Sequence, residues 1–542
     1  MPFETCEAGV QVVGIHSAGH DTGVSLWENG ELLYSVETER LTRRRHDHAA
    51  EAAVAALQRC PQFALDRVGL VAVSTGFRQA LIKVEDCDSV RAAIAARTLH
   101  VSTRCELFGR PIPCLVVAHE ASHAALALHY AGPVASALIL VNEGRGSFSR
   151  NSVFDFSSGQ MTLVEADTLP WFGSGFGWSA VGEAIGLGRG PSVAGKTMAL
   201  GGFSAPDSAL MDAILDVAPD LDRAPETRQV AERSRLLAAA KINGFDSRAA
   251  LISSFQHLFT QTLTEHLERL LAQYPREVLA LGGGCALNIV ANSQLRDRMK
   301  VPVVIPPAPN DAGQALGAAI YAMRFLLGIT PRPFPVYSVG AAQDADEIRN
   351  TLNEAGLSWT DYCPDHVAAR LADGAVVAFS QGKAECGPRA LGHRSLLAHP
   401  SLPGMKERVS VRIKEREWFR PLAPVMRDET LLRLRPDKPL SPYMLFNYDS
   451  DGLQIGEASH VDGTARIQTV AKDDNPRVHR LLESFEAVSG ANALINTSLN
   501  AGGFPIAQTA RDVLDDFWGR EVDLFVFDDV MVDRTESPGR AS

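Results

Sequence analysis

The chain has 542 residues, 46% hydrophobic and 21% charged, an ordinary globular composition with room for two to four domains. Its 52 basic and 64 acidic residues leave a formal charge of −12, which argues against nucleic acid as the main partner but allows a local basic pocket. The 8 cysteines are scattered with no C-x-x-C pair, the first residues lack a basic and apolar leader pattern, and no window has bilayer-spanning length. The expectation is a cytoplasmic protein with reduced thiols and no membrane partner.

In chain order, "VQVVGIHSAGHDTGVSLWENGELLYSVETERL" predicts three strands, over Val10–Ile15, Gly23–Trp27 and Leu32–Val36. A polar glycine turn at Ser17–Thr22 separates the first two, and Asn29-Gly30 is a hairpin signal. "AHEASHAALALHY" is alanine-rich and predicts a helix. His119 and His123 then project from one face, one turn apart. Imidazoles so placed bind one divalent metal, or they are ordinary helix histidines near a surface. "ASALILVNEGRGSFSRNSVFDFSSGQMTLVEA" repeats the strand, glycine turn, strand, tight turn and strand of the first segment. Two such copies read as a duplicated α/β domain whose glycine turns hold phosphates, or as two unrelated hairpins.

Residues 207–275 are largely helical in pattern, with "LISSFQHLFTQTLTEHLERLLAQY" the clearest amphipathic run. "VLALGGGCALNIVANSQLRDRM" runs from a strand through Gly282-Gly283-Gly284 into a helix, a turn suited to phosphate or ribose. A strand, a loop with Asp311 and an Ala/Gly-rich helix follow. The proline-rich "ITPRPFPVYSVG" marks the main domain boundary. Beyond it, "ECGPRALGHRSLLAHP", "RIKEREWFRPLAPV", "HVDGTARIQTV" and "NALINTSLNAGGFPIAQTARDVLDDF" set Arg, Ser, Thr and Asn beside glycines and prolines, the make-up of an oxyanion or phosphate pocket. The end of the chain, from Arg534 on, is polar.

These motifs carry a resemblance. The segments "GHDTGVSLWENGEL…ETERLTRRRHD", "AHEASHAALALHY", "GKTMALGGF", "GGGCALNIVAN", "NDAGQALGAA", "GPRALGHRS", "FRPLAPV", "HVDGTARIQTV" and "NTSLNAGGFPI" occur in the order found in the NodU/CmcH family of carbamoyltransferases, which includes the enzyme that carbamoylates tobramycin. The chain resembles that family over nearly its whole length. The resemblance implies an α/β fold: a duplicated actin-like ATPase (Kae1-like) domain over residues 1–335, a YrdC-like α/β adenylating domain over 336–535, and a polar tail over 536–542. It implies two steps. ATP, with Mg²⁺, and carbamoyl phosphate give carbamoyl-adenylate in the C-terminal domain; the N-terminal domain, with Fe²⁺ or another divalent metal, passes the carbamoyl group to a hydroxyl or amine of a small molecule. Family members act on natural products, so antibiotic or related biosynthesis is expected, by a monomer or homodimer.

Residue by residue, the resemblance makes His119, His123 and Asp311 metal ligands, with Glu143 in "EGRG" where the family has Asp. His20, Asp21 and His46 fall near the acceptor, His20 as the base. Lys196, Gly283, Gly284, Asn288 and Asp311 fall on the nucleotide or carbamoyl-adenylate side, with Ala194 where the family usually has Glu. Arg389, Arg394, Ser395, Arg420, Arg466, Asn496, Thr497, Ser498 and Asn500 fall in the carbamoyl phosphate and ATP pocket. Cys386 is a packing residue. Three other readings stand beside this one: transfer to tRNA, a nucleotide-switched binding module of the actin-like superfamily, and a catalytically decayed relative, the last suggested by Glu143 and Ala194.

Overall fold

The computed structural model describes residues 9–17, 19–75, 84–188, 190, 192–223, 242–334, 340 and 342–535; the expected tail over 536–542 lies outside them. The chain forms two compact bodies, one of residues 1–33 and 48–333, the other of 34–47 and 334–542. The division falls close to the expected 335/336 boundary. Residues 34–47, read from the sequence as part of the first domain, group with the second body, and the reason is local bonding. Gly387 N–H donates to Glu37 Oε1 at 2.7 Å, and Arg40 Nη2 donates to the Gly387 carbonyl at 2.8 Å. Arg43 reaches Asp516 Oδ2 at 2.6 Å and the carbonyls of Pro505 and Ile506 at 3.1 Å each.

The first body carries two sheets built on one plan. Strands β1 (Gln11–His16), β2 (Gly23–Glu28), β3 (Glu31–Glu37, whose residues from 34 on open the segment that groups with the second body), β4 (Val68–Ser74), β5 (His100–Leu107) and β6 (Arg110–Val117) lie in the order β3-β2-β1-β4-β6-β5. Strands β7 (Ser136–Asn142), β8 (Asn151–Ser157), β9 (Gln160–Ala166), β10 (Val278–Gly282) and β11 (Val303–Val304) lie in the order β11-β10-β7-β8-β9. In each, the first strand pairs antiparallel with the second and parallel with the fourth, and a further parallel strand follows. The meanders follow from short, almost wholly buried apolar runs joined by the turns Asn29-Gly30 and Ser158-Gly159. Val13, Ile15, Val24 and Leu26 are buried on one sheet, and Leu138, Ile139 and Phe154 on the other. The Gln314–Phe325 helix lies so close to β1 that a Cβ on Gly14 would stand 2.0 Å from the Ala315 carbonyl oxygen.

The second body is a mixed α/β layer. Its strands are β12 (Thr360–Asp361), β13 (Val377–Ser380), β14 (Arg394–Ala398), β15 (Pro424–Arg427), β16 (Tyr448–Asp449), β17 (Thr464–Ala465), β18 (Gln468–Val470), β19 (Ala493–Ser498), β20 (Leu524–Phe527) and β21 (Val530–Asp533). Eight form one sheet in the order β12-β21-β20-β13-β14-β19-β15-β18, and β16 pairs with β17. Helices Pro364–Ala372 and Pro476–Ser489 each begin with a proline whose missing N–H has no helical partner to lose. They cover one face with Val367, Leu371, Leu481 and Phe485 against Phe379, Leu397, Val425 and Val526. No helix among the described residues is long and apolar enough to cross a membrane.

Candidate functional site

In the first body, four side chains from three separate segments converge. The helix His119–Tyr130 starts directly after β6 and places His119 and His123 on one face. Glu143 follows β7. Asp311 opens the short turn Asp311–Gly313 before the Gln314–Phe325 helix. The two helices touch through glycine: a Cβ on Gly317 would lie 2.1 Å from the Ser122 carbonyl oxygen. His119 Nε2 is 2.9 Å from Glu143 Oε2 and 3.3 Å from Asp311 Oδ1. His123 Nε2 is 3.3 Å from Glu143 Oε2, 3.4 Å from Asp311 Oδ1 and 3.2 Å from His119 Nε2. The four ligand atoms lie within 4.8 Å of one another, and both histidines and Glu143 are buried.

This geometry fits a divalent cation. Burial alone would lower the two histidine pKa values, but Glu143 and Asp311 outweigh it and push both up. Burial would raise both carboxylates, and the facing imidazoles hold them down instead. Two imidazolium charges 3.2 Å apart repel by about 5 kcal/mol at an effective dielectric constant of 20. One divalent ion in place of the two protons removes that repulsion and satisfies both carboxylates. Two imidazoles and two carboxylates are a donor set suited to Fe²⁺, Mn²⁺ or Zn²⁺.

Beside this group, His20 Nδ1 lies 3.1 Å from Asp21 Oδ2 and 3.6 Å from Asp311 Oδ2. Burial lowers its affinity for a proton, but the bond to Asp21 and the charge of Asp311 raise the pKa to about 9. Asn310 Nδ2 also donates to Asp21 Oδ2, at 3.2 Å. His46 belongs to the 34–47 segment of the other body, where its N–H donates to Glu39 Oε2 at 2.7 Å. Glu120 was not anticipated: its Oε1 accepts from the N–H groups of Phe148 and Ser149 at 2.9 and 3.0 Å, fixing the loop that follows Glu143. Its place between the two histidines in "HEASH" was the available signal.

The glycine turn after β10 is tight on one side and open on the other. Gly283 has φ 83° and would meet Asn142 backbone with any Cβ, whereas nothing lies within 4 Å of a Cβ on Gly284. Asn288 caps the Ile289–Arg298 helix, accepting from Ala291 N–H at 3.0 Å, and its amide donates to Gln256. Lys196 stands on the Val193–Gly201 helix.

In the second body a cationic cluster forms. Arg389, Arg416, Arg420 and Arg466 are half-buried and Lys414 is buried. Burial, then mutual repulsion, lowers all five pKa values: Arg389 falls to about 10 through burial and then Arg420, and Arg416, Arg466 and Lys414 fall well below their ordinary values. Arg45 adds to the repulsion on Lys414, Arg416 and Arg420. Glu417, 3.7 Å from Arg420, and Asp516 oppose it only in part. The Nε atoms of Arg389 and Arg466 are buried with no hydrogen-bond partner among the described residues. Such a cluster is suited to meet an anion. Neutral groups line it: Arg416 donates to Thr497 Oγ1 at 3.2 Å and Ser498 Oγ at 3.1 Å. Lys414 Nζ donates to the Ser498 carbonyl and to the carbonyl and side-chain oxygens of Asn500.

The loop bearing Arg389 is wrapped around one buried carboxylate, Glu385, whose Oε1 accepts from Leu391 and Arg394 N–H groups at 2.7 and 3.2 Å. Ser395 Oγ accepts from Gly392 N–H, and Asn496 Nδ2 donates to Ala390 O and Gln468 Oε1. Arg394 stands apart from the cluster. Its guanidinium donates to the carbonyls of Gln508, Gln381, His393 and Gly382, which occupies all its N–H groups. Lys414 and Arg416 carry no sequence signal for this site, because "KEREW" alternates charge like a solvated surface run. Cys386 is buried, and burial and Glu37 push its thiol well up, which suits a packing residue.

Comparison with known proteins adds the family. Residues 89–320 match the family described as Carbamoyltransferase N-terminus, and residues 368–534 match Carbamoyltransferase C-terminus. The chain is 30% identical to the 3'-hydroxymethylcephem-O-carbamoyltransferase of Amycolatopsis lactamdurans, over 96% of this chain and 98% of that one. It is 30% identical to the enzyme of the same name from Streptomyces clavuligerus, over 94% and 97%. It is 28% identical to nodulation protein NolNO of Sinorhizobium fredii, over 96% and 80%.

Proposed function

The chain belongs to the carbamoyltransferase family, and from that premise we propose that it makes carbamoyl-adenylate from carbamoyl phosphate and ATP and transfers the carbamoyl group to a hydroxyl of a small molecule. On this reading the first body, with its duplicated sheets, is an actin-like, Kae1-like transfer domain, and the second is a YrdC-like adenylating domain. The acceptor is a natural product, the class that the names of the cephem relatives indicate.

The observation that carries the reading is the convergence of five mutually repelling cations, Arg389, Arg416, Arg420, Arg466 and Lys414. Carbamoyl phosphate and an ATP triphosphate, the latter with Mg²⁺, are the anions it takes. Water cleaves carbamoyl phosphate to carbamate and phosphate. A carbamate oxygen then attacks the α-phosphorus of ATP, forming carbamoyl-adenylate and expelling pyrophosphate. The arginines are fixed donors that meet the charge that builds on the leaving group. Thr497 and Ser498 hold the Arg416 fork in place.

In the first body, His119, His123, Glu143 and Asp311 would hold a divalent metal, Fe²⁺ by the family resemblance. Bound there, the metal supplies Lewis-acid polarisation of a carbonyl or neutralisation of phosphate charge. Gly284, open where a side chain would stand, leaves the backbone of the turn accessible to a nucleotide; the family resemblance assigns Gly283, Asn288 and Lys196 to the same ligand. His20, oriented through Nδ1 by Asp21, accepts in its neutral form the proton of the acceptor hydroxyl as its oxygen attacks the carbamoyl carbon and AMP leaves; a divalent charge at Asp311 would neutralise a carboxylate that raises the His20 pKa and so favour that form.

The test needs no acceptor. Purified protein is incubated with ATP, Mg²⁺ and carbamoyl phosphate, and pyrophosphate and AMP are followed. The expected result is pyrophosphate release that depends on carbamoyl phosphate, with AMP following as water hydrolyses the untransferred carbamoyl-adenylate to carbamate and AMP. Release of ADP and phosphate independent of carbamoyl phosphate would contradict the proposal and favour a nucleotide-switched module.

A further inference from the structure

Beside the metal group the first body holds another imidazole that no step above uses. His16, the last residue of β1, is fully buried, and neither of its ring nitrogens has a hydrogen-bond partner among the described residues. Its Nε2 lies 3.9 Å from Asp311 Oδ2, and its ring meets that of His119 edge-on with centroids 5.8 Å apart. Asp311 is divided between two sets of neighbours. Its Oδ1 faces His119 and His123 at 3.3 and 3.4 Å, while its Oδ2 faces His16 at 3.9 Å and His20 at 3.6 Å. A carboxylate that ligates through one oxygen is free to rotate unless the other oxygen is held, and groups behind a ligand set its orientation and affinity. His20 is already engaged with Asp21 through the same Nδ1 that approaches Asp311. His16 has no competing partner, and a shift of about 1 Å brings it to hydrogen-bond distance.

We infer that His16 is a positioning residue for the metal group: its Nε2–H donates to Asp311 Oδ2 and keeps Oδ1 turned toward the two histidines. This role rests on the metal reading above, and it concerns a residue outside the four ligands.

The test uses Co²⁺ alone, added to the metal-free full-length protein and followed by calorimetry and by visible absorption. Three variants separate reach from polarity. His16→Gln carries an amide N–H near the Nε2 position; His16→Asn is polar but reaches only the Nδ1 position; His16→Leu keeps the bulk alone. His16→Gln is expected to bind Co²⁺ within about 3-fold of wild type, and His16→Asn and His16→Leu about 10- to 100-fold more weakly. The absorption bands keep the same positions throughout, because the ligands are unchanged. Affinity for Co²⁺ equal in all four proteins would overturn the inference, and so would a His16→Gln variant as weak as His16→Leu. Altered bands in the variants would overturn it in favour of direct ligation by His16. If His16→Leu does not fold, the contrast between Gln and Asn still decides. Failure of the wild type itself to bind Co²⁺ would remove the metal reading and this role together, whereas equal binding by wild type and variants removes this role only.

Discussion

Arg394 and Arg416 carry the same charge in one body, yet they are predicted to respond oppositely to removal. Arg394 donates to four backbone carbonyls and is fully buried. Arg394→Met leaves those carbonyls unsatisfied, at a cost of about 3 kcal/mol or more, and the Tm of the second body falls by several degrees. Arg416 is repelled by Arg420, Arg45 and Arg389. Arg416→Gln relieves that repulsion, so Tm holds or rises while carbamoyl-phosphate-dependent pyrophosphate release falls about 100-fold or more. Melting curves run beside the release assay check both, and a stable Arg394→Met protein would contradict the bracing role. The sequence identified Arg389, Arg420 and Arg466, all of which the fold brings into one cluster. It did not separate Arg394 from them, because both "GPR" and "GHR" read as basic loop residues and only the facing of β14 decides which arginine turns inward to carbonyls. Lys414 and Arg416 enter the cluster through a π-helical stretch, Glu407–Ile413, and a left-handed Glu415 at φ 51°, neither of which leaves a mark in composition.

At the scale of elements, the metal group depends on how closely two helices approach. His119 and His123 ride on one, and Asp311 stands at the entry to the other. Gly317 is the point of contact: Gly317→Ala puts a Cβ 2.1 Å from the Ser122 carbonyl oxygen, so the backbone must shift. The variant is expected to lose about 1–3 kcal/mol of stability and to bind Co²⁺ measurably more weakly. Unchanged Tm and unchanged affinity would show that the helix spacing does not set the site. Strands and turns were legible because their signals are local: the expected Val10–Ile15, Gly23–Trp27 and Leu32–Val36 compare with Gln11–His16, Gly23–Glu28 and Glu31–Glu37. The H-x-x-x-H helix was legible for the same reason. The passage of residues 34–47 into the second body was not, because it is decided by bonds to Gly387, Pro505, Ile506 and Asp516, more than 300 positions along the chain.

For the whole molecule, acid acts on the second body through buried neutral histidines. Burial lowers the pKa values of His393 and His399, and burial with Arg466 and Lys406 against Asp462 takes His460 to about 4. The unfolded chain protonates these rings near pH 6.5, and the folded body does not until lower pH. Stability is therefore complete above about pH 6.5 and declines as pH falls through that value toward 4. Hydrogen exchange in residues 364–535 is expected to show lower protection free energies at pH 5.5 than at pH 7.5, and equal values would contradict the neutral burial of these rings. The central claim is that two chemically separate sites share the work, an anion cluster that makes the adenylate and a metal group that uses it. The most direct measurement is exchange of labelled pyrophosphate into ATP, dependent on carbamoyl phosphate and without acceptor, in wild type, His119→Ala and Arg389→Ala. The account predicts exchange in His119→Ala within about 3-fold of wild type and a loss of about 100-fold or more in Arg389→Ala. Equal loss in both variants would contradict the division of labour.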